Sequence, residues 1–242
     1  MPQFQKLANY STCEIADALL KLGHKPWAGY LADIEMWSPT YCSGDTKILG
    51  SAYTVKMVDK EDSSSPTPSQ HFADAAPEGS VIVISAPADS KNGVWGGLMS
   101  ASAKAKNVRG VVVDGRIRDL AEHRVMGMPV SIAKYVQLYQ TTKGLKCFEQ
   151  VFARSHSILS LGAMLRPSEL NVPVTMSTCP VTVHPGDVIV GDQDGVVCVP
   201  QDLIDQVVAS CDKYVTIDNQ CMVDISKGKG VQETFAKYRG SK

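Results

Sequence analysis

No two of the seven cysteines form a C-x-x-C pair, no window holds the roughly 18 consecutive apolar residues of a membrane helix, and acidic and basic residues nearly cancel, leaving a formal net charge of -1. Each absence excludes something. Cys13, Cys42, Cys147, Cys179, Cys198, Cys211 and Cys221 are scattered, so neither a zinc ribbon nor a dithiol redox motif fits, and reduced thiols of an intracellular protein are expected. The missing apolar span, and an N-terminal stretch without a basic-then-apolar leader, point away from membrane and export and toward the cytoplasm. A nearly neutral chain has no long-range field to gather polynucleotide or anionic lipid, so neither nucleic acid nor membrane is expected as a partner. His71, His123, His156 and His184 never fall into H-x-x-H or H-E-x-x-H spacing, which leaves no zinc helix.

What is present suits a globular fold. With 242 residues, 44% apolar and 20% charged, the chain can bury a full core, and no repeat or linker divides it. A single domain over 1–242 is expected, with a C-terminal helical extension from about 201 to 242. Ser11 and Glu14 stand at capping-box spacing ahead of Ile15, Ala18 and Leu19, with Gly23 closing the first helix. "GSAYTVKMV" at 50–58 alternates as a strand does, and the charged, Ser/Pro-rich stretch after it reads as an exposed loop. "SVIVISA" (80–86) and "GVVVDG" (110–115) are buried strands around a helix at 94–107, with a short helix at 117–124 to follow. That order predicts an α/β unit with a largely parallel sheet. From 172 on, β-branched residues punctuated by Pro-Gly and Asp-Gly turns predict an antiparallel β-layer, and two helices separated by Gly228 and Gly230 complete the chain.

Chemistry concentrates in "GVWGGLMSASAKAKNVRGVVVDGRIRDLAE", residues 93–122. A glycine-rich helix entry at Gly96, Gly97, Leu98 and Met99 offers free backbone amides and the positive end of the helix dipole to an anion. The same glycines also serve a plain tight turn. Arg118 and Asp119 follow the carboxyl end of the 110–114 strand, where ligands of parallel sheets gather. If 117–124 is helical, Asp119 and Glu122 share a face and can turn toward one cation, Mg2+ or Mn2+, while Arg118 grips a carboxylate in two parallel hydrogen bonds. A solvated helix start with acids near its N-terminus explains the same residues without function. His123 is expected on the helix surface, Trp95 in the core, and Asp192, Asp194 and His184 in turns. Lys56, Lys104, Lys106 and Lys134 lie in no setting that marks a Schiff-base lysine.

Taken together, G97-x20-R118-D119-x2-E122 and the surrounding "WGGLMSASAKAKNVRGVVVDGRIRD" resemble the class II 4-hydroxy-4-methyl-2-oxoglutarate/4-carboxy-4-hydroxy-2-oxoadipate aldolases and the RraA-like proteins that share their fold. The likeness runs from the first helix to "VHPGDVIVGDQDGVVCVP". It implies a three-layer β/β/α, swivelling-domain-like core flanked by N- and C-terminal helices, and a homotrimer or homohexamer with interfacial sites. It further implies that Asp119 ligates a divalent metal, that Arg118 holds the pyruvyl part of a 2-oxo acid, and that the amides of Leu98 and Met99 bind its carboxylate. One form of the family pattern has Asp where this chain has Gly97; the other has Gly there and an acid three residues after the Arg-Asp pair, the form matched by Glu122. The implied activity is retro-aldol cleavage or oxaloacetate decarboxylation through a pyruvate enolate. Two alternatives stand beside it: a non-catalytic regulator that binds protein, and a scaffold recruited to another lyase or isomerase step on a larger oxo acid. The loop 59–69 and the segment 155–170 fit no part of the resemblance.

Overall fold

A computed structural model describes residues 3–127 and 150–240 of the chain. Cys147 and Lys134 lie outside the described residues. The capping box forms as its spacing requires: the Ser11 hydroxyl accepts from the Glu14 amide, and the Glu14 carboxylate accepts from the Ser11 amide, opening α1, Thr12–Lys21. Asp192 seats this helix on the sheet by accepting from the Thr12 amide at 2.9 Å and the Thr12 hydroxyl at 2.6 Å. It also accepts from the Asp194 amide at 3.1 Å, the expected Asx turn.

The strands are β1 Glu35–Met36, β2 Ile48–Asp59, β3 Val81–Ser85, β4 Gly93–Trp95, β5 Gly110–Ile117, β6 Gln150–His156, β7 Leu165–Leu170, β8 Val174–Thr175, β9 Thr182–Val183, β10 Val188–Asp192 and β11 Gly195–Val199. Alternating with them are α2 Phe72–Ala75, α3 Gly97–Ala105 and α4 Leu120–Gly127, and last come α5 Ile204–Ser226 and α6 Val231–Arg239. Among the described residues nine strands form one sheet in the order β1-β6-β5-β3-β2-β10-β11, with β4 on β5 and β7 on β2. Neighbours from β2 through β3 and β5 to β6 are parallel, which suits the unbroken apolar runs at the centre, in β3 and β5. The C-terminal strands are antiparallel as expected, but β10 also pairs with β2, so they continue the main sheet. The sheet nearly closes, because the Leu31 amide donates to Val196 and the Cys198 amide to Gly29, bringing the segment before β1 onto β11.

Three apolar clusters separate the layers. Ile82, Ile84, Val111 and Val113 pack outward on Phe72, Trp95 and Ala103; Val83, Val112 and Phe152 pack inward on Ile189 and Val196; Val190 and Val197 pack on Ile15, Leu19, Val207 and Cys211 of α1 and α5. This is the α/β architecture anticipated, a β/β/α core flanked by terminal helices. No helix among the described residues is long and apolar enough to cross a membrane.

Two boundaries differ from the sequence reading. The helix expected over 94–107 begins only at Gly97, because Gly93 and Trp95 are drawn into register with Arg116 and Ile117 of β5. The helix expected over 117–124 begins at Leu120, because β5 runs on to Ile117 and Asp119 adopts φ 63°, outside helical space. The loop after β2 is exposed but tied down: Arg166 donates to the carbonyls of Asp62, Ser65 and Pro66.

Candidate functional site

The site forms where β5 ends and α3 begins. Gly93 lies so close to Arg118 that a side chain there would meet Arg118 Cβ at 3.2 Å, and the Arg118 amide donates to the Trp95 carbonyl at 2.9 Å. This sets Arg118 and Asp119 beside the Gly96–Gly97 turn. Asp119 Oδ2 accepts from the Gly97 amide at 3.1 Å and Oδ1 from Arg118 Nε at 3.1 Å. Its unusual backbone is braced by the amides of Glu122 and His123, which donate to its carbonyl at 3.0 and 3.2 Å. Asp119 therefore acts as the acid that caps α3 and also opens α4.

Glu122, in the first turn of α4, points back to the same place. A Cβ on Gly97 would stand 1.6 Å from Glu122 Oε2, and a Cβ on Gly96 2.6 Å from Asp119 Oδ2. The glycines are thus needed for space: two carboxylates occupy the room their side chains would fill. This brings Gly96, Gly97, Arg118, Asp119 and Glu122 together. Leu98, as the second helical residue, has no carbonyl one turn earlier in the helix for its amide, and its side chain is 79% exposed. The Met99 amide is engaged in the first turn, donating to the Gly96 carbonyl at 3.0 Å.

Electrostatics favours an anion at Asp119. Burial works against ionisation of Asp119, but the Gly97 amide, then Arg118 and then His123 outweigh it and hold the carboxyl below its ordinary value. The donor set suits a hard divalent cation: carboxylate oxygens have lone pairs beyond those used by Gly97 and Arg118, and magnesium takes one or two carboxylates while keeping several waters. Among the described residues no group of three His, Cys, Asp or Glu gathers, so solvent and substrate would complete any such coordination.

His123 corrects the sequence reading: it is 1% exposed, because α4 packs on α3 and turns the ring inward. Its Nδ1 lies 2.9 Å from Ser100 Oγ, which accepts from the Trp95 indole at 2.8 Å. Burial lowers its pKa, against the opposing pull of the Arg118 backbone and Asp119. Trp95 fills the core as expected and has this polar contact as well. Ser100 was missed from sequence; its signal is its three-residue spacing from Ala103 on a small-residue helix face that turns inward.

Other candidates stay apart. His184 shapes a turn with Asp187, the Lys56 ammonium pairs with Glu169, Lys106 with Asp74, and Lys104 reaches the Met126 carbonyl. A cavity of about 710 Å³ lined by Tyr53, Ser80 and Arg109 lies at the amino ends of the parallel strands, away from the carboxylates. The segment after β6 does reach the site's edge: the Leu159 carbonyl accepts from Gly93, and buried Asn92 donates to the Leu161 carbonyl at 2.8 Å. Ile158 there is 91% exposed.

Known proteins share this arrangement's framework. The model of the RraA-like family, Aldolase/RraA, matches residues 12–198, a span that contains the whole cluster and ends before α5. Protein DlpA of Legionella pneumophila is 27% identical over 235 residues, 97% of this chain and 33% of DlpA, so the chain spans about a third of that relative. A Halalkalibacterium halodurans protein provisionally named 4-hydroxy-4-methyl-2-oxoglutarate aldolase is 30% identical over 126 residues, 52% of this chain and 49% of the relative. The solved structure of Streptomyces coelicolor RraAS2, described as an unusual member of the RNase ES inhibitor RraA protein family, matches with TM-score 0.68 at 23% identity, covering 89% of this chain and 93% of that one. At that identity the likeness is one of fold.

Proposed function

Because the chain belongs to the RraA-like family, which holds both 4-hydroxy-4-methyl-2-oxoglutarate aldolases and non-catalytic RraA regulators, we propose that it is a divalent-metal-dependent lyase acting on 2-oxo acids. One observation carries the reading: the Asp119 and Glu122 carboxylates converge on Gly96 and Gly97 beside the Arg118 guanidinium. A protein that only binds another protein has no need of two acids crowded over glycines.

In this reading Asp119 and Glu122 would hold Mg2+ or Mn2+, which would supply positive charge to polarise a 2-oxo acid. Arg118 pairs with the 2-oxo acid carboxylate, and the Leu98 amide at the positive end of α3 adds a hydrogen-bond donor. Cleavage between C3 and C4 leaves negative charge on the keto-acid half as an enolate, and the Arg118 guanidinium is placed to stabilise it. The leaving half loses its hydroxyl proton as it becomes a carbonyl, and C3 gains one to give pyruvate. Loss of carbon dioxide from oxaloacetate generates the same enolate, so both reactions suit one site.

The test is pyruvate release from oxaloacetate and from 4-hydroxy-4-methyl-2-oxoglutarate with Mg2+ or Mn2+. Turnover is expected, abolished by chelator and restored by added metal. No turnover in metal-loaded protein, with capture of a stoichiometric protein partner, would favour the regulator reading instead. The same reading expects a homotrimer or homohexamer in the cytoplasm, with the exposed Leu98 and Ile158 side chains near a subunit boundary. Light scattering that gives a monomer at micromolar concentration would count against the assembly.

A further inference from the structure

The buried chain Trp95–Ser100–His123 is anchored at one end by its chemistry. An indole N–H can only donate, so the Ser100 oxygen accepts from Trp95, at 2.8 Å, and the same oxygen is hydrogen-bonded to His123 Nδ1, at 2.9 Å. His123 Nε2 is buried and has no hydrogen-bond partner among the described residues. An unpartnered buried ring nitrogen is disfavoured, so something must hold the ring where it is.

The main chain completes a circuit. Trp95 accepts from the Arg118 amide at 2.9 Å, the Asp119 carbonyl accepts from the His123 amide at 3.2 Å, and the His123 carbonyl accepts from the fully buried Ser38 hydroxyl at 3.0 Å. Starting and ending on Trp95, these bonds enclose Asp119. Asp119 is the residue at φ 63°, a conformation that persists in a non-glycine residue only where its surroundings hold it.

We infer that Ser100 and His123 are positioning residues: the Trp95–Ser100–His123 chain anchors the imidazole and, through it, holds the left-handed Asp119 backbone so that its carboxylate meets the Gly97 amide over the glycine turn. Neither residue touches substrate. As a contribution to metal binding this rests on the proposed function; as a statement about Asp119 it stands independently.

The experiment uses Ser100→Ala, Ser100→Thr and Trp95→Phe beside the wild type, with three readouts. Long-range 15N NMR of the His123 ring is expected to give the same pattern in the wild type and Ser100→Thr, and a changed pattern in Ser100→Ala and Trp95→Phe. The Gly97 amide, which reports the Asp119 carboxylate, is expected to exchange about tenfold faster in Ser100→Ala while amides 103–105 of the same helix are unchanged. Mn2+ affinity without substrate is expected to fall about tenfold or more in Ser100→Ala and to return in Ser100→Thr, the scale typical of groups that orient metal ligands. A His123 ring pattern unchanged in Ser100→Ala, or Gly97 exchange insensitive to Ser100→Ala, overturns the inference. Should Ser100→Thr not fold, Trp95→Phe decides the exchange readout, with the same two outcomes. If the wild type binds no Mn2+, the lyase proposal fails, and the ring and exchange readouts still decide this one.

Discussion

Asp119→Asn is expected to lower metal-dependent kcat/KM by about 10²–10³-fold, roughly 3–4 kcal/mol of transition-state stabilisation, with little change in melting temperature. Asparagine is the informative replacement because Asp119 sits at φ 63°. Among L residues Asn and Asp tolerate that region best, whereas alanine would add strain of about 1 kcal/mol and confuse a fold defect with a site defect. The asparagine oxygen can still accept from the Gly97 amide, now at 3.1 Å from Asp119 Oδ2, so the helix cap survives. What disappears is the negative charge that pairs with Arg118 and would face a cation. Steady-state rates with Mn2+ and a thermal melt of the same preparation check the prediction. Full metal-dependent turnover in the asparagine variant would remove Asp119 from the metal site.

Which parts of this were legible in the sequence follows from how local their causes are. The capping box at Ser11 and Glu14 is a contact three residues long, and it forms as spacing dictates. The parallel strands 81–85 and 110–117 announce themselves by unbroken β-branched runs, since both faces are buried. By contrast β4 has three residues and exists because β5 pairs with it, so no pattern of its own marks it off from the helix that follows. The late start of α4 depends on one backbone angle at Asp119, set by bonds from Gly97, Glu122 and His123 that sequence spacing does not reveal. The burial of His123 is hidden for a related reason: in "LAEHRVMG" it stands between Glu122 and Arg124, and the Ser100 hydroxyl that meets its ring lies 23 residues away. The loop after β2 is exposed, as its composition predicts; its order comes from Arg166, about a hundred positions later, and is invisible locally. The cluster Gly97, Arg118, Asp119, Glu122 was found because its spacing is itself the signature of a family, but why glycine is required there emerges only from geometry.

That geometry carries the second large prediction. Gly97→Ala is expected to lower turnover about a hundredfold with at most a small fall in melting temperature. Gly97 is not at positive φ, so alanine fits its backbone and replaces a weak helix former with a strong one. The new methyl, however, would stand 1.6 Å from Glu122 Oε2, 2.6 Å from its Cδ and 2.9 Å from its Cβ, so the carboxylate must swing away and the start of α4 must give slightly. A displacement of about 1 Å at a reacting centre costs on the order of a hundredfold. Gly162→Ala is the control, since nothing lies within 4 Å of a Cβ there, and its turnover should match wild type. The same overlap means that acids at positions 97 and 122 compete for one space. Gly97→Asp alone should therefore impair turnover, Glu122→Ala alone should impair it about as much, and the two together should recover to within about tenfold of wild type, because the carboxylate has been moved rather than removed. Rates for the four proteins at saturating Mn2+ form a double-mutant cycle whose coupling must be large and favourable. Additive losses would mean that Glu122 and the glycine turn do not share a single function, and Gly97→Ala with wild-type turnover would mean that Glu122 is not at the site at all.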